Sequence, residues 1–346
     1  MATRWVAGVD IGGTKTAVVL SAAPPAVVGR IEFPTEPEHG PEPAIARIVS
    51  ALHALLREQN ALPADLGGIG ISCGSPLDRA AGIVQAPPNL PTWVDVPIVA
   101  ILSAAFGCPA RLENDANAGA LAEHRYGAGR SARHMLFLTL GTGFGAGVIL
   151  NGQLYTGASD LAGEIGHVRL TRTGPVGYHK AGSAEGWASG GGMAQLSAEA
   201  LRRAARRGEA SSLLDLPSSQ PPTARDVGLA ALAGDALARR ILRESGRKLG
   251  MALAILIDVL NPERIVLGGL AMRLGDLLLD PARAVLRREA LAPSVAACRI
   301  VPAELGERIG DVAALCVVPE PHAHFTGGIP CPTTSSSVRI ATRSSP

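Results

Sequence analysis

The feature that most constrains this 346-residue chain is a repeated unit of apolar run, glycine turn and apolar run. Trp5–Val9 and Thr16–Leu20 flank IGGTK, and at residues 134–150 MLFLTL and AGVIL flank GTGFG. Short apolar runs separated by glycines read as hairpin strands. Two such units, far apart in the chain, are the main internal symmetry, and the length leads to an expectation of about two domains.

Other segments fill in around this pair. Val27–Phe33 reads as a third strand and Gly68–Cys73 as a buried one, with a short strand near Arg111. Ala44–Glu58 carries Ile45, Ile48, Val49, Leu52, Leu55 and Leu56 at helical spacing. Ile98–Phe106 and Asn117–His124 read as helices. Residues 151–192 are glycine-rich and irregular, and from Met193 the pattern is mostly helical. A long helix is expected over Asp235–Val259, then the strand ERIVLGG, then a helix from Leu270 to Glu289. Residues 320–346 are rich in Pro, Ser and Thr without apolar period and read as a disordered tail.

Composition excludes several function classes. Hydrophobic residues at 47% and charged residues at 18% describe a globular core, and aromatics at 3% leave its packing to Ala, Leu, Val and Ile. A net charge of +2 argues against a nucleic-acid partner bound through a broad basic face. No apolar run reaches the ~18 residues of a membrane span. Asp10 falls where a signal peptide would still be apolar. Cys73, Cys108, Cys298, Cys316 and Cys331 are scattered and form no CxxC pair, which suits reduced thiols in a cytoplasmic protein.

Four constellations could carry chemistry. Asp10-Ile11-Gly12-Gly13-Thr14-Lys15 places an acid before a glycine turn. Glycines let backbone N–H groups approach phosphate oxygens, and an adjacent Asp can hold hydrated Mg²⁺; an ordinary hairpin turn is the plain alternative. Gly141-Thr142-Gly143-Phe144-Gly145-Ala146-Gly147 is a second such turn. It is neither GxGxxG nor a P-loop, and two turns of this kind suggest two walls around one polyphosphate. In Glu113-Asn114-Asp115-Ala116-Asn117 the acid lies at a strand-to-helix junction. Asp115 there is either a general base for a hydroxyl or a helix N-cap, with Asn114 able to hold a neighbouring hydroxyl. Gly163-Glu164-Ile165-Gly166-His167, with Glu185 beyond, suits a polyol. His167 and His179 also raise a zinc reading, but no Cys lies between Cys108 and Cys298 to complete a soft tetrahedral site.

In this order the motifs resemble the ROK family of repressors, open reading frames and sugar kinases. DIGGTK resembles its first phosphate motif, and LENDANAGALAE the segment with its catalytic Asp. GTGFGAGVILNGQLYTGASDLAGEIGHV resembles its second phosphate motif running into its sugar signature. NPERIVLGG resembles the strand near its adenosine site, and GSPLDRAAGIVQAPPNLPTW its sugar-facing loops. The likeness runs from about residue 5 to 318.

The resemblance implies an α/β chain of actin-like ATPase (ribonuclease H-like) fold: an N-terminal lobe over 1–115, a C-terminal lobe over 116–319, and a cleft between them where ATP and a hexose meet. It implies Asp115 as base, and Asn89, Asn114, Glu164, His167 and Glu185 with Asp115 on the sugar. It implies Gly12, Gly13, Thr14, Lys15, Gly141, Thr142 and Gly143 on phosphates, Gly268 and Gly269 beside the nucleoside, and Asp10 positioning Mg²⁺ through water. The expected reaction is ATP-dependent transfer to a hexose 6-hydroxyl, glucokinase-like; amino- and N-acetylamino-hexoses (kanosamine, N-acetylmannosamine, N-acetylglucosamine) are the alternative substrates. A homo-oligomer, a dimer through the C-terminal helices, is also implied. A sugar-responsive regulator is disfavoured because DIGGTK begins at residue 10, and a non-catalytic sensor because both phosphate motifs and Asp115 are kept.

The family pattern CxCGxxGCxE after GxxGH puts a His and three Cys on zinc. Counting back from Glu185, those Cys positions hold Val176, Tyr178 and Ser183, while Gly182 and Glu185 remain. No zinc is expected, and Val176, Tyr178 and Trp187 are expected to pack the loop instead.

Overall fold

A computed structural model describes residues 5–217 and 221–318; the expected tail lies outside the described residues. In chain order the strands and helices are β1 (Trp5–Ile11), β2 (Lys15–Ser21), β3 (Gly29–Pro34), α1 (Pro41–Glu58), β4 (Leu66–Cys73), β5 (Leu77–Asp78), β6 (Ile83–Val84), α2 (Ile98–Phe106), β7 (Ala110–Asn114) and α3 (Asp115–Tyr126). They continue as β8 (Met135–Leu140), β9 (Phe144–Leu150), β10 (Gln153–Tyr155), β11 (Val176–Gly177), β12 (Lys180–Ala181), α4 (Ala184–Ala188), α5 (Gly190–Arg207), α6 (Ala224–Leu232) and α7 (Ala236–Leu260). The last are β13 (Arg264–Gly269), α8 (Leu270–Leu274), α9 (Asp276–Glu289), α10 (Ala292–Ala297), β14 (Arg299–Pro302) and α11 (Ile309–Val317).

The repeated glycine hairpin seeds two sheets of the same topology. The first runs β3-β2-β1-β4-β7 and the second β10-β9-β8-β13-β14. In each, three strands form an antiparallel meander, a fourth pairs in parallel with the first of them, and a fifth pairs in parallel with the fourth. Parallel strands need crossovers, and their carboxyl ends gather on one edge of the sheet, where α/β proteins bind ligands. Asp10 pairs with Ser72, and Ser72 with Glu113, so the ends of β1, β4 and β7 stand in line.

Each sheet has its own core. Val9, Ile11, Ile69 and Ile71 pack with Ile48, Leu52, Leu55 and Leu56 of α1 in the first lobe. Leu136, Leu138 and Leu267 pack with Leu249, Leu253 and Ile257 of α7 in the second. Full burial of each such side chain contributes about 2 kcal/mol.

Two helices join the lobes. α3 leaves the end of β7 and packs on β8 and β9, and α11 returns across α3 to β1 and β4. α11 lies directly on the strand backbones: a Cβ on Gly70 would stand 2.0 Å from the Ala314 carbonyl. Only the hydrogen side chain fits there. No helix among the described residues is long and apolar enough to cross a membrane.

Three expectations are corrected here. The helix expected over Leu270–Glu289 is two, broken at Gly275, whose φ of 51° and ψ of −134° end α8. The helix expected from Asn117 begins at Asp115, because Asn114 supplies the cap. The irregular stretch 151–192 holds β10, the β11–β12 hairpin and α4.

Candidate active site

Asp115 is the first residue of α3, and its role follows from its neighbour. Asn114 adopts extended backbone, and its Oδ1 accepts the Ala116 and Asn117 N–H groups at 2.9 and 3.3 Å. The N-cap therefore belongs to Asn114. Asp115 Oδ1 accepts the Ala116 N–H at 2.8 Å. Solvent reaches Asp115, yet protein surrounds it on the other sides, and this poor solvation raises its carboxyl above the usual range. The Ala116 N–H and the Asn114 side chain pull the other way. Asn114 Nδ2 also donates to Ser75 Oγ at 2.8 Å.

Asp10 faces the same space from β1. Burial, with the charges of Asp115 and Asp311, pushes its carboxyl up to about 6, while a hydrogen bond from Ser72 and the charge of Lys15 oppose the rise. The Asp10 carboxylate, with little compensating charge, is a hard oxygen donor of the kind that holds a hydrated Mg²⁺.

The first glycine turn is closed by Gly12 N–H donating to Lys15 O at 3.0 Å, and Thr35 Oγ1 donates to Gly12 O at 2.6 Å. Gly13 abuts Asn89: a Cβ there would lie 2.6 Å from the Asn89 carbonyl. Asn89 Oδ1 in turn stands 3.3 Å from where a Gly74 Cβ would be, so the first glycine turn meets the loop that carries Asn89. Thr14 accepts the Thr35 N–H through its carbonyl at 3.1 Å. The Lys15 ammonium is exposed and pairs with Glu32 of β3 at 2.9 Å, where Arg30 is also bound.

The second turn leans on the start of α5. Gly190 and Gly191 donate to the Gly141 and Thr142 carbonyls at 2.8 and 3.2 Å. Gly268 and Gly269 pair with Thr139 and Leu140, which lead into that turn. Gly269 has φ 64°, and a Cβ would sit 2.2 Å from Leu140 O, so no other residue fits. The run Gly190-Gly191-Gly192 was missed in the sequence reading; three glycines opening a helix were the available signal.

Glu164, His167 and Glu185 are brought together beside this turn. Glu164 and His167 flank a 3₁₀ turn, Ile165–His167, and both are exposed. Partial burial raises the Glu164 carboxyl; the charges of Glu185 and Asp115 raise it further and His167 lowers it. Glu185 on α4 accepts the Phe144 N–H at 3.1 Å, and Gly166 backs onto its Cβ. Gly143 stands against Glu185 Oε2.

The donors at the family's zinc position do not fit a metal. Val176 and Tyr178 are exposed, and Ser183 Oγ caps α4 by accepting the Gly186 N–H at 3.1 Å. The expectation that Val176, Tyr178 and Trp187 pack the loop holds only for Trp187. It is buried, donates from Nε1 to Thr171 Oγ1 at 2.7 Å, and carries Lys248 over its ring at 5.1 Å. The hairpin turn at Tyr178 and His179, with φ of 42° and 63°, leaves Tyr178 in solvent, 5.7 Å from the His167 ring centroid.

Two five-stranded sheets of one topology, joined by α3 and α11 with both glycine turns opening on the space between, define an actin-like ATPase fold of two lobes. The chain belongs to the ROK family, whose pattern it matches over residues 6–320. It is 35% identical over 319 residues to a glucokinase of Thermotoga maritima, covering 90% of this chain and 96% of that one. A glucokinase of Halalkalibacterium halodurans is 35% identical over 285 residues, 82% of this chain and 85% of the relative. A ROK family glucokinase from Streptomyces griseus, solved in complex with glucose and AMPPNP, superposes with a TM-score of 0.75 at 29% identity, covering 91% and 99%.

Proposed function

We propose that the chain is an ATP-dependent hexose kinase, with glucose as its first substrate and the 6-hydroxyl as acceptor. One observation carries this: Asp115, freed by the Asn114 cap, stands at the lobe junction beside Asp10 and the Glu164–His167–Glu185 cluster. Phosphoryl transfer needs a positioned base and fixed dipoles rather than covalent chemistry. Asp115 takes the proton as the hydroxyl oxygen attacks, and its raised carboxyl makes it a better base than a solvated Asp. Asn114, Glu164, His167 and Glu185, with Asn89 from the first lobe, orient the sugar hydroxyls. With the Gly12 and Gly141 N–H groups closing their own turns, the Gly12–Thr14 and Gly141–Gly143 turns offer their remaining amides to phosphate oxygens, and Gly268–Gly269 leave room for the nucleoside. Asp10 would hold Mg²⁺ through water, and the ion neutralises charge on the transferring group. Closure of the lobes excludes water and limits ATP hydrolysis. Exposed Ile255 and Val259 on α7 support a homodimer through the C-terminal helices.

The test is ADP release with Mg-ATP across glucose, mannose, fructose, allose, N-acetylglucosamine, N-acetylmannosamine and kanosamine. Turnover on glucose, lost by at least the ~10²-fold a general base contributes in Asp115→Asn with sugar binding kept, supports the reading. Preference for an N-acetylated or amino sugar would change the substrate and keep the mechanism. Near-normal turnover in Asp115→Asn would remove the base from its role.

A further inference from the structure

Beside the site just described, Arg79 bonds to both lobes. It lies in the turn of the β5–β6 hairpin of the first lobe. Its Nη2 donates to Glu113 Oε2 and its Nη1 to Asp160 Oδ1, both at 2.5 Å. Glu113 immediately precedes Asn114 and Asp115. Asp160 lies in the second lobe, in the loop that runs into Glu164.

The two halves of this bridge differ in kind. The Glu113 side chain is 2% exposed, and its other oxygen accepts the Asn114 N–H and Asn117 Nδ2, both at 3.0 Å. That carboxylate is fully paired and fixes the end of β7, where the base is carried. Losing Arg79 would leave a buried charge uncompensated. The Asp160 side chain is 39% exposed, so its pair with Arg79 can break into water. The Arg79 Nε–H is buried and finds no protein partner, a cost that the reach to two carboxylates explains.

Gly157 and Gly163 bracket the Asp160 loop with φ of 76° and 97°, and Asp160 at its tip has φ 59°. The Ala162 N–H donates to Thr156 O at 3.0 Å, closing it as a unit. A cavity of about 380 Å³ backs it, lined among others by Tyr155, Gly157, Leu161, Gly163 and Leu260. The loop borders this cavity, and Arg79 holds Asp160 at its tip.

We propose that Arg79 is a positioning residue: its fixed pair with Glu113 sets the base-bearing strand end, and its breakable pair with Asp160 latches the loop leading to Glu164, thereby setting affinity for the hexose. This rests on the kinase reading for the identity of the ligand. The latch acts on the hexose and not on ATP or the chemical step.

Asp160→Gly removes the latch without strain, since glycine accepts the left-handed backbone; Asp160→Asn keeps a neutral acceptor. In Asp160→Gly we expect amide hydrogen exchange to quicken in residues 156–162 and 79–82 and to stay unchanged in α7. The KM for hexose should rise about tenfold, the loss of a charge-assisted bond, with kcat and the KM for ATP unmoved. Asp160→Asn should recover most of that loss. About 1 M KCl should raise the hexose KM of the natural chain and not that of Asp160→Gly. Unchanged exchange in the loop, or quickened exchange with an unchanged hexose KM, overturns the latch. Failure of the natural chain to turn over any hexose overturns the kinase reading instead, and the exchange measurement then decides the latch alone.

Discussion

The Phe144 backbone N–H donates to Glu185 Oε2 at 3.1 Å. The carboxylate expected on the sugar thus also holds the strand that follows the Gly141–Gly143 turn, and one side chain ties the two substrate walls together. Glu185→Gln keeps an oxygen for Phe144 but removes the charge that strengthens the bond. We expect kcat/KM to fall about tenfold or more for the hexose and the KM for ATP to rise in parallel, with little change in Tm. Steady-state kinetics in both substrates check this; a hexose effect alone would mean that the Phe144 contact carries no coupling.

Two glycines of the proposed nucleotide wall separate fold from ligand. A Cβ on Gly141 would meet nothing within 4 Å, whereas one on Gly269 would strike Leu140 O at 2.2 Å on a positive-φ backbone. Gly141→Ala should leave Tm unchanged while raising the KM for ATP, because the methyl group takes space meant for a phosphate. Gly269→Ala should lower stability by about 2 kcal/mol or more, from backbone strain and the close approach. Thermal melts beside ATP kinetics distinguish the two; a normal KM in Gly141→Ala would move the phosphates away from this turn.

The sheet-forming segments were legible because their apolar runs end on glycines, and so was the duplication, since DIGGTK and GTGFG occupy matching places in both sheets. The cap at Asn114 could not be separated from Asp115, because adjacent Asn and Asp have nearly equal cap preference and only the backbone decides. The Lys15–Glu32 pair was not legible because Glu32 comes from the following strand, and hairpin register is invisible in a motif. Arg79 carried no signal at all: its two carboxylates lie 34 and 81 residues away.

Asp10 gives the apoprotein a stability that depends on pH. Its carboxyl is raised from 3.8 to about 6, chiefly by burial. The folded chain therefore binds that proton more tightly than the unfolded chain does. As pH rises through this window the unfolded state loses its proton first, and stability falls, by up to about 3 kcal/mol from this group. Asp10→Asn should flatten that part of the melt profile between pH 4 and 6 in metal-free, nucleotide-free protein. An unchanged slope in the variant would assign the dependence to other groups.

The hairpin ahead of Glu185 is cross-linked by hydrogen bonds, and an expected response to chelators follows. Gln195 clamps Val176 from both sides, accepting its N–H at 2.9 Å and donating to its carbonyl at 2.8 Å. Gly182 O accepts the Leu170 and Thr171 N–H groups at 2.8 and 3.1 Å, and Gly182 N–H donates to Pro175 O at 2.9 Å. Trp187 pins Thr171 from beneath. Each of these bonds contributes about 1 kcal/mol, so several of them supply part of what a structural zinc would. We expect a strong zinc chelator to leave Tm unchanged, and activity unchanged once Mg²⁺ is restored. Trp187→Phe, which keeps the ring and loses the N–H, should cost about 1 kcal/mol. Gln195→Ala should cost as much and also raise the hexose KM several-fold, because the slackened hairpin no longer fixes α4 and Glu185. A Tm that falls with chelator and recovers with added zinc would show that a metal, and not this network, holds the loop.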